Sequence, residues 1–115
     1  MDENEIVSSF ILELRRGIIM LCVLSKLTEP TYGYNLVETL ASSGVPVEAN
    51  TLYPMLRRFE GQGLIQGTWN TEGTKPRKYY CATEKGKRIL ILLKQHWQDT
   101  VKNINLFLEE SYNES

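Results

Sequence analysis

The 115-residue sequence predicts a mainly α-helical fold that contains one small β-hairpin and ends in a long C-terminal helix. Apolar residues recur at three- and four-residue spacing through most of the chain, which is typical of helices that cover a core. Two short strand-like runs flank a polar, turn-rich segment, which is typical of a hairpin. One apolar stripe continues through residues 84–111, and hydrophobic residues make up 42% of the chain, as in ordinary globular domains.

Three helices are predicted before the hairpin. The first spans about Glu5–Leu27 and becomes apolar on nearly all sides after residue 18, so we expect its second half in the core. Residues 28–30 end it. A short second helix is predicted at Tyr32–Ser42, and a third at Glu48–Gln62, just before a glycine. The third helix has one narrow apolar face, formed by Leu52, Met55, Leu56 and Phe59.

The hairpin is predicted from the runs Leu64–Trp69 and Arg77–Ala82, which flank a polar tip at residues 70–76. Thr83 is expected to cap the last helix, Glu84–Ser111. At 1.5 Å per residue this helix is roughly 40 Å long, longer than the rest of such a small domain is wide. Two short helices with a tight link, followed directly by a hairpin, form a winged helix-turn-helix.

The net charge of −1 combines a basic centre with acidic ends. Residues 48–88 carry eight bases and four acids, whereas residues 1–14 carry four acids and no base. This layout is typical of a small DNA-binding module whose termini face away from the DNA. The alternative is that each charge simply lies on a solvated face.

The outward face of the third helix and the hairpin tip are therefore expected to bind double-stranded DNA. Arg and Asn side chains can reach base edges in the major groove, and Thr and Tyr hydroxyls can reach phosphates. The Tyr34 hydroxyl is expected on a phosphate, whereas the Tyr32 ring can instead pack against the third helix and leave its hydroxyl in water. The candidate DNA-binding residues are Tyr34, Asn50, Thr51, Tyr53, Arg57, Arg58, Lys75, Arg77 and Lys78.

Residues 14–88 resemble the PadR-like transcriptional regulators. The matching motifs are Leu14-Arg15-Arg16-Gly17, Tyr32-Gly33-Tyr34, Thr51-Leu52-Tyr53-Pro54-Met55-Leu56-Arg57-Arg58-Phe59-Glu60, Gly63-Leu64-Ile65, Pro76-Arg77-Lys78-Tyr79-Tyr80 and Thr83-Glu84-Lys85-Gly86. The resemblance implies a homodimeric repressor that releases DNA when a small effector binds, in the short-tailed branch whose C-terminal region is a single helix. One departure is the start of the third helix, where many relatives place a capping Ser or Thr and this chain has Val47-Glu48-Ala49.

The C-terminal helix is expected to form the dimer interface, because its later apolar residues would be exposed in a monomer. The predicted interface residues are Leu93, Trp97, Val101, Ile104 and Leu108. A two-fold dimer presents two equivalent recognition helices, so we expect the operator to be an inverted repeat. The predicted domains are a winged helix-turn-helix at residues 1–83 and a C-terminal dimerisation helix at residues 84–115.

Trp97 has two interpretations. An interface tryptophan commonly acts as a packing anchor. The resemblance implies instead that Trp97 and its symmetry mate line a cavity for a small effector, either planar aromatic or amphipathic, with Phe10 and Met20 sharing the lining. His96, the only histidine, is expected at the surface.

The sequence also excludes several classes of function. It contains no nucleophile–base pair, metal-ligand cluster or phosphate-binding glycine loop, so we expect no enzyme, metal or cofactor. Cys22 and Cys81 are too few for a disulfide framework and are expected to be small buried hydrophobes. No apolar run approaches the roughly 18 residues that span a bilayer, and the acidic start is wrong for a signal peptide, which predicts a cytoplasmic protein. The alternative function is a winged-helix module that binds another protein rather than DNA.

Overall fold

The structure of the chain, a computed structural model, describes the backbone of residues 1–114 and the side chains of residues 1–110. It is mainly helical with one small antiparallel sheet, as predicted. The elements in chain order are α1 (Glu3–Arg16), α2 (Ile18–Lys26), β1 (Thr31–Tyr32), α3 (Gly33–Ser42), α4 (Ala49–Gly61), β2 (Ile65–Asn70), β3 (Arg77–Ala82) and α5 (Glu84–Glu114).

The N-terminal region is two helices, so the prediction of one continuous helix is wrong. The helix is interrupted at Gly17, whose N–H donates to the carbonyl of Arg15. Glycine has a low helix propensity because its backbone is so free in the unfolded chain. The two helices also have different surroundings: α1 buries no residue, whereas α2 buries Val23 and Leu24. The apolar periodicity continues across Gly17 and therefore gave no sign of the interruption.

The helix-turn-helix consists of α3 and α4, and both helices match their predicted bounds to within one residue. Glu48 occupies the N-cap position of α4 in an extended conformation (φ −79°, ψ 151°) without a side-chain cap. Its carbonyl accepts from the N–H groups of Thr51 at 3.0 Å and Leu52 at 2.9 Å. The helix therefore starts where expected although the capping Ser or Thr of many relatives is absent.

The sheet has three strands in the order β1-β3-β2, all antiparallel, where the sequence predicted a two-stranded hairpin. In the added pair, Thr31 lies opposite Tyr80 and Tyr32 opposite Tyr79. The β2–β3 pairs run from Ile65–Ala82 to Asn70–Arg77. We call β2, β3 and the connecting residues 71–76 the wing.

The core lies between α2, α3, α4 and the sheet. Its fully buried side chains are Val23, Leu24, Leu27, Leu36, Leu40, Leu52 and Leu56. Burial of each such side chain contributes roughly 1.5–3 kcal/mol, so these aliphatic residues are the main source of the fold's stability. Tyr80 and Ala82 join the core from one face of β3, since alternate residues of a strand face the same side of the sheet. Cys22 and Cys81 are free thiols that are half-buried rather than fully enclosed.

The first turn of α5 is bonded to the rest of the domain. Thr83 caps it as predicted, because its hydroxyl accepts from the N–H of Gly86 at 3.0 Å, and the same hydroxyl donates to the carbonyl of Gly63. The Lys85 ammonium donates to the carbonyl of Gln62 at 2.8 Å. Further along, α5 packs on α2, but its side chains from Lys102 to Glu110 are exposed. The helix thus projects from a small domain, and the principal extents are 61 × 35 × 21 Å.

Two negative findings apply to the described part of the chain. No helix within residues 1–114 combines the length and apolarity needed to cross a membrane. No group of three or more His, Cys, Asp or Glu side chains among the described residues is arranged to hold a metal ion.

Candidate functional site

The helix α4 exposes a polar face opposite its buried one. Leu52, Leu56 and Phe59 are buried beneath it, while the exposed side, which we call the outer face of α4, consists of Asn50, Thr51, Arg57 and Arg58. The two arginines form no ion pair among the described residues, although the Arg58 guanidinium lies 5.7 Å from the Phe59 ring centroid. This face can present hydrogen-bond donors to base edges and phosphates.

Tyr53 lies at the edge of this face and is less exposed than the other residues predicted on it. Its ring is half-buried and packs against the core. The start of α3 comes close to it, since a Cβ at Gly33 would lie 3.6 Å from Cε1 of Tyr53. A helical wheel places Tyr53 at the edge of the outward face, and the start of α3 covers part of its ring.

The wing carries an exposed Lys75 at its tip and an exposed Arg77 at the end of its strand ladder. The Arg77 guanidinium lies over two rings from the start of α3, 5.3 Å from the centroid of Tyr34 and 5.8 Å from that of Tyr32. Contacts of this kind favour the cation by roughly 0.5–1 kcal/mol at exposed sites. They restrict the positions that the exposed Arg77 guanidinium can adopt.

Tyr32 packs on the wing rather than on the third helix, contrary to expectation. Its ring meets the Tyr79 ring edge-on at 5.9 Å between centroids and lies 5.7 Å from the Tyr34 ring. Its hydroxyl accepts from the Asn70 amide at 2.9 Å, so it is not left in water. Tyr34 is 52% exposed, and its contact with a phosphate stays a prediction. The sequence analysis missed this cluster because it depends on β1.

Lys78 lies on the opposite face of β3 from Arg77, toward α4. It is half-buried, and its ammonium lies 3.1 Å from Oε1 of Glu60 on α4. The hydrogen bond from Lys78 to Glu60 raises the pKa of Lys78 above its ordinary value. Burial raises the pKa of the neighbouring Tyr80 phenol. Successive strand residues face opposite sides of a sheet, so Arg77 and Lys78 cannot both lie on the open basic surface.

A separate apolar groove of about 710 Å³ lies between α1, α2 and α5. We call it the Trp97 groove. Its apolar lining is Leu14, Gly17, Ile18, Met20, Leu21, Leu93, Trp97, Val101 and Ile104, and its polar lining is Glu13, His96, Thr100 and Asn105. Trp97 and Met20 both line this groove of the single chain, and Trp97 is 37% exposed.

Phe10 does not line this groove of the single chain and is 60% exposed on α1, so its place in a cavity of the dimer stays a prediction. His96 is exposed, as predicted, at the groove. The groove residues that the sequence analysis missed are Leu14, Ile18 and Leu21, because their helical spacing alone does not distinguish a core from a groove wall. Among the predicted interface residues, Leu93 and Val101 are half-buried, whereas Ile104 and Leu108 are exposed at 45% and 62%.

Comparison with known proteins agrees with this architecture. Residues 20–91 match the transcriptional regulator PadR-like family. A crystal structure of a PadR family transcriptional regulator from Eggerthella lenta is 50% identical, covers 92% of this chain and 95% of its own, and superposes with a TM-score of 0.88. A PadR-like regulator from Bacillus cereus is 32% identical over 84% of this chain and 96% of its own, with a TM-score of 0.75.

A transcriptional regulator of Mycobacterium tuberculosis is 30% identical over 79 residues, which is 68% of this chain and 74% of that protein. The family and these relatives are transcriptional regulators and not enzymes. The family match covers α3, α4 and the wing, which are the elements of the winged helix-turn-helix. The chain therefore belongs to the PadR-like family of transcriptional regulators.

Proposed function

We propose that this DNA-binding regulator is a homodimeric repressor that binds an inverted-repeat operator and releases it when a small, planar aromatic molecule binds in the Trp97 groove. The observation that carries the proposal is the pairing of an exposed polar face on α4 with an exposed basic wing. Both surfaces lie on the winged helix-turn-helix that binds DNA in proteins of this architecture. The proposed DNA contacts are the outer face of α4, Tyr34, Lys75 and Arg77.

The homodimer is supported by apolar residues that a single chain leaves uncovered. No residue of α1 is buried, and Val7, Phe10 and Leu14 are exposed at 55%, 60% and 71%. At the far end of α5, Phe107 and Leu108 are exposed at 71% and 62%. Exposed apolar surface of this extent on two helices marks an interface, and residues 84–115 form the proposed dimerisation helix.

Sedimentation at micromolar concentration tests the dimer. We expect twice the chain mass of 13.2 kDa, and a species of single-chain mass would contradict the proposal. Given a two-fold dimer, duplexes selected from a random pool should contain an inverted repeat, and a selected site without dyad symmetry would contradict it too.

Salt dependence separates the proposal from the alternative of a protein-binding module. Each phosphate contact releases counterions, so the logarithm of affinity should fall steeply with the logarithm of salt concentration. Lys94→Ala is a matched control, because it removes an exposed positive charge from α5 rather than from the winged helix-turn-helix. Lys94→Ala should leave the salt dependence of DNA binding unchanged, whereas Arg57→Ala should reduce the affinity for DNA. A slope near zero for every duplex would favour the protein-binding alternative.

The effector is proposed because the Trp97 groove is large, mainly apolar and open to solvent in the single chain. Its 710 Å³ lies in the range of small-molecule sites. The test is quenching of tryptophan fluorescence by planar aromatics in Trp69→Phe, where only Trp97 reports. If no compound in a broad panel of planar cations and phenolics quenches the Trp97 fluorescence, Trp97 is a packing anchor instead. The expected cytoplasmic location belongs to the same proposal, since a DNA-binding regulator must share a compartment with DNA.

A further inference from the structure

One ion pair connects the wing to α4. The Lys78 ammonium on β3 donates to Oε1 of Glu60 on α4 at 3.1 Å, and the two side chains are 29% and 31% exposed. The ammonium also lies 5.2 Å from the Tyr80 ring centroid and 6.0 Å from that of Trp69. A carboxylate and two aromatic rings thus surround one cation, in a place where water screens it only in part.

Gly67 makes this pair sterically feasible. Gly67 lies on β2 opposite Tyr80 of β3, and the side chain of Lys78 crosses directly above it. A Cβ at Gly67 would overlap with Cε of Lys78 and would lie 3.1 Å from its Nζ and 3.2 Å from Oε2 of Glu60. A side chain at residue 67 would therefore push the end of the Lys78 side chain out of its present path to Glu60.

The pair has no evident purpose as a DNA contact. The positive charge of Lys78 is already matched by Glu60, and a carboxylate on the recognition helix repels phosphates. Yet Glu60 lies one helical turn after Arg57, while Lys78 follows Arg77 directly. The pair therefore joins the two segments of chain that carry the proposed base contact and the proposed wing contact.

We propose that Glu60 and Lys78 form a positioning pair, seated over Gly67, that holds the wing at the distance from α4 at which both can contact one DNA duplex. The inference rests on the proposed function, because it assigns a role within DNA binding. Neither residue touches DNA. Loss of the pair lets the wing shift relative to α4, so that the wing and α4 no longer contact the duplex at the same time.

Glu60→Gln gives the sharpest test, because positioning and simple electrostatics predict opposite signs. Removal of a negative charge near phosphates should strengthen DNA binding if Glu60 only repels the duplex. Positioning predicts that affinity for the selected operator falls, by about tenfold for a coupled pair. Glu72→Gln is the matched control: it removes the same charge from the exposed wing tip and should leave affinity unchanged or raise it.

Two further variants distinguish positioning from a direct contact by Lys78. The charge-exchanged double variant, Glu60→Lys with Lys78→Glu, should recover most of the affinity that Glu60→Gln loses, because the pair is restored in reverse. Gly67→Ala changes no charge and should still weaken operator binding, because the added methyl displaces Lys78. Thermal unfolding of each variant shows whether it remains folded. If Gly67→Ala does not fold, the charge-exchanged variant still tests the proposal.

The outcomes are distinct. If Glu60→Gln binds the operator as tightly as Glu72→Gln, the positioning pair is refuted. If charge exchange restores nothing while Lys78→Met alone weakens binding, Lys78 contacts DNA itself and the positioning pair is refuted as well. If the unaltered protein shows no salt-dependent DNA binding, the proposed function fails and the pair loses its role with it.

Discussion

Substitution of Gly86 by alanine should destabilise the protein, although helix propensity alone predicts the opposite. Gly86 lies in the first turn of α5, where alanine is more favourable than glycine by about 1 kcal/mol. A Cβ at Gly86 would lie 2.9 Å from the carbonyl carbon of Leu64 and 3.2 Å from its Cα, and closer still to its carbonyl oxygen. That oxygen accepts from the Thr83 N–H at 3.0 Å, so the backbone cannot move away without loss of this bond.

The overlap involves main-chain atoms on both sides, so we place its cost near the upper end of the usual range for overpacking, about 3 kcal/mol. After the gain in helix propensity, about 2 kcal/mol of net destabilisation remains. A two-state domain of this size loses roughly 4 °C in Tm per kcal/mol, so the Tm of Gly86→Ala should fall by about 8 °C. Protein concentration must be held constant, because the proposed dimerisation would make Tm depend on it.

Gly17→Ala is the matched control. Gly17 also lies next to helical residues, but a Cβ there meets no atom within 4 Å and its φ of −76° suits any residue. Helix propensity then acts alone and should raise stability by about 0.5–1 kcal/mol. If Gly86→Ala proves as stable as the unaltered protein, the close contact between α5 and Leu64 does not exist as described. If both alanines destabilise to the same degree, the steric explanation fails as well.

Three further predictions concern the two sites and the pH dependence. Trp97→Ala should weaken binding of planar aromatics at least about tenfold, measured by calorimetry, with little effect on the dimer; a rise in dimer dissociation worth about 3–5 kcal/mol would instead identify a packing anchor. Arg57→Ala should reduce discrimination between operator and random duplex by about 1–3 kcal/mol, whereas Lys75→Ala should weaken both duplexes alike and lower the salt slope by about 1; an exchange of these behaviours would reverse the two assignments. Stability should fall as the pH rises above about 10, because the bond to Glu60 raises the folded-state pKa of Lys78 and burial raises that of Tyr80. Denaturant titrations that give the same free energy of unfolding at about pH 9 and about pH 11 would contradict this.

The features that the sequence predicts well are those that a local pattern determines. The narrow apolar face of α4, with Leu52, Leu56 and Phe59 all buried, follows from helical spacing alone. The strand alternation that buries Tyr80 and Ala82 follows from the period of two. The Thr83 cap follows from the preference for hydroxyls at helix starts. Each of these depends on residues that are close together in the chain.

The features that the sequence analysis missed depend on contacts between distant segments. The strand β1 is two residues long and acquires its structure only by pairing with residues 79 and 80. Alternation states that Arg77 and Lys78 face opposite sides, but only the position of α4 shows that Lys78 is the covered one. Phe10 and Met20 both fit an apolar stripe, and only the packing of α1 and α2 against α5 shows that Met20 lines the groove and Phe10 does not. Which residues contact DNA stays a prediction.

The end of the β2–β3 ladder divides the wing into a part that can vary in length and a part that cannot. The last pair is Asn70–Arg77, and residues 71–76 beyond it are all exposed, with Gly73 in a left-handed conformation at φ +94°. Residues can be inserted or deleted in this tip without a change of register, so natural or engineered variants can lengthen the reach of Lys75 across DNA. An insertion in β3 itself would move Arg77 away from Tyr34 and undo the pairing with β1. How far the wing extends and where it is anchored can therefore evolve separately.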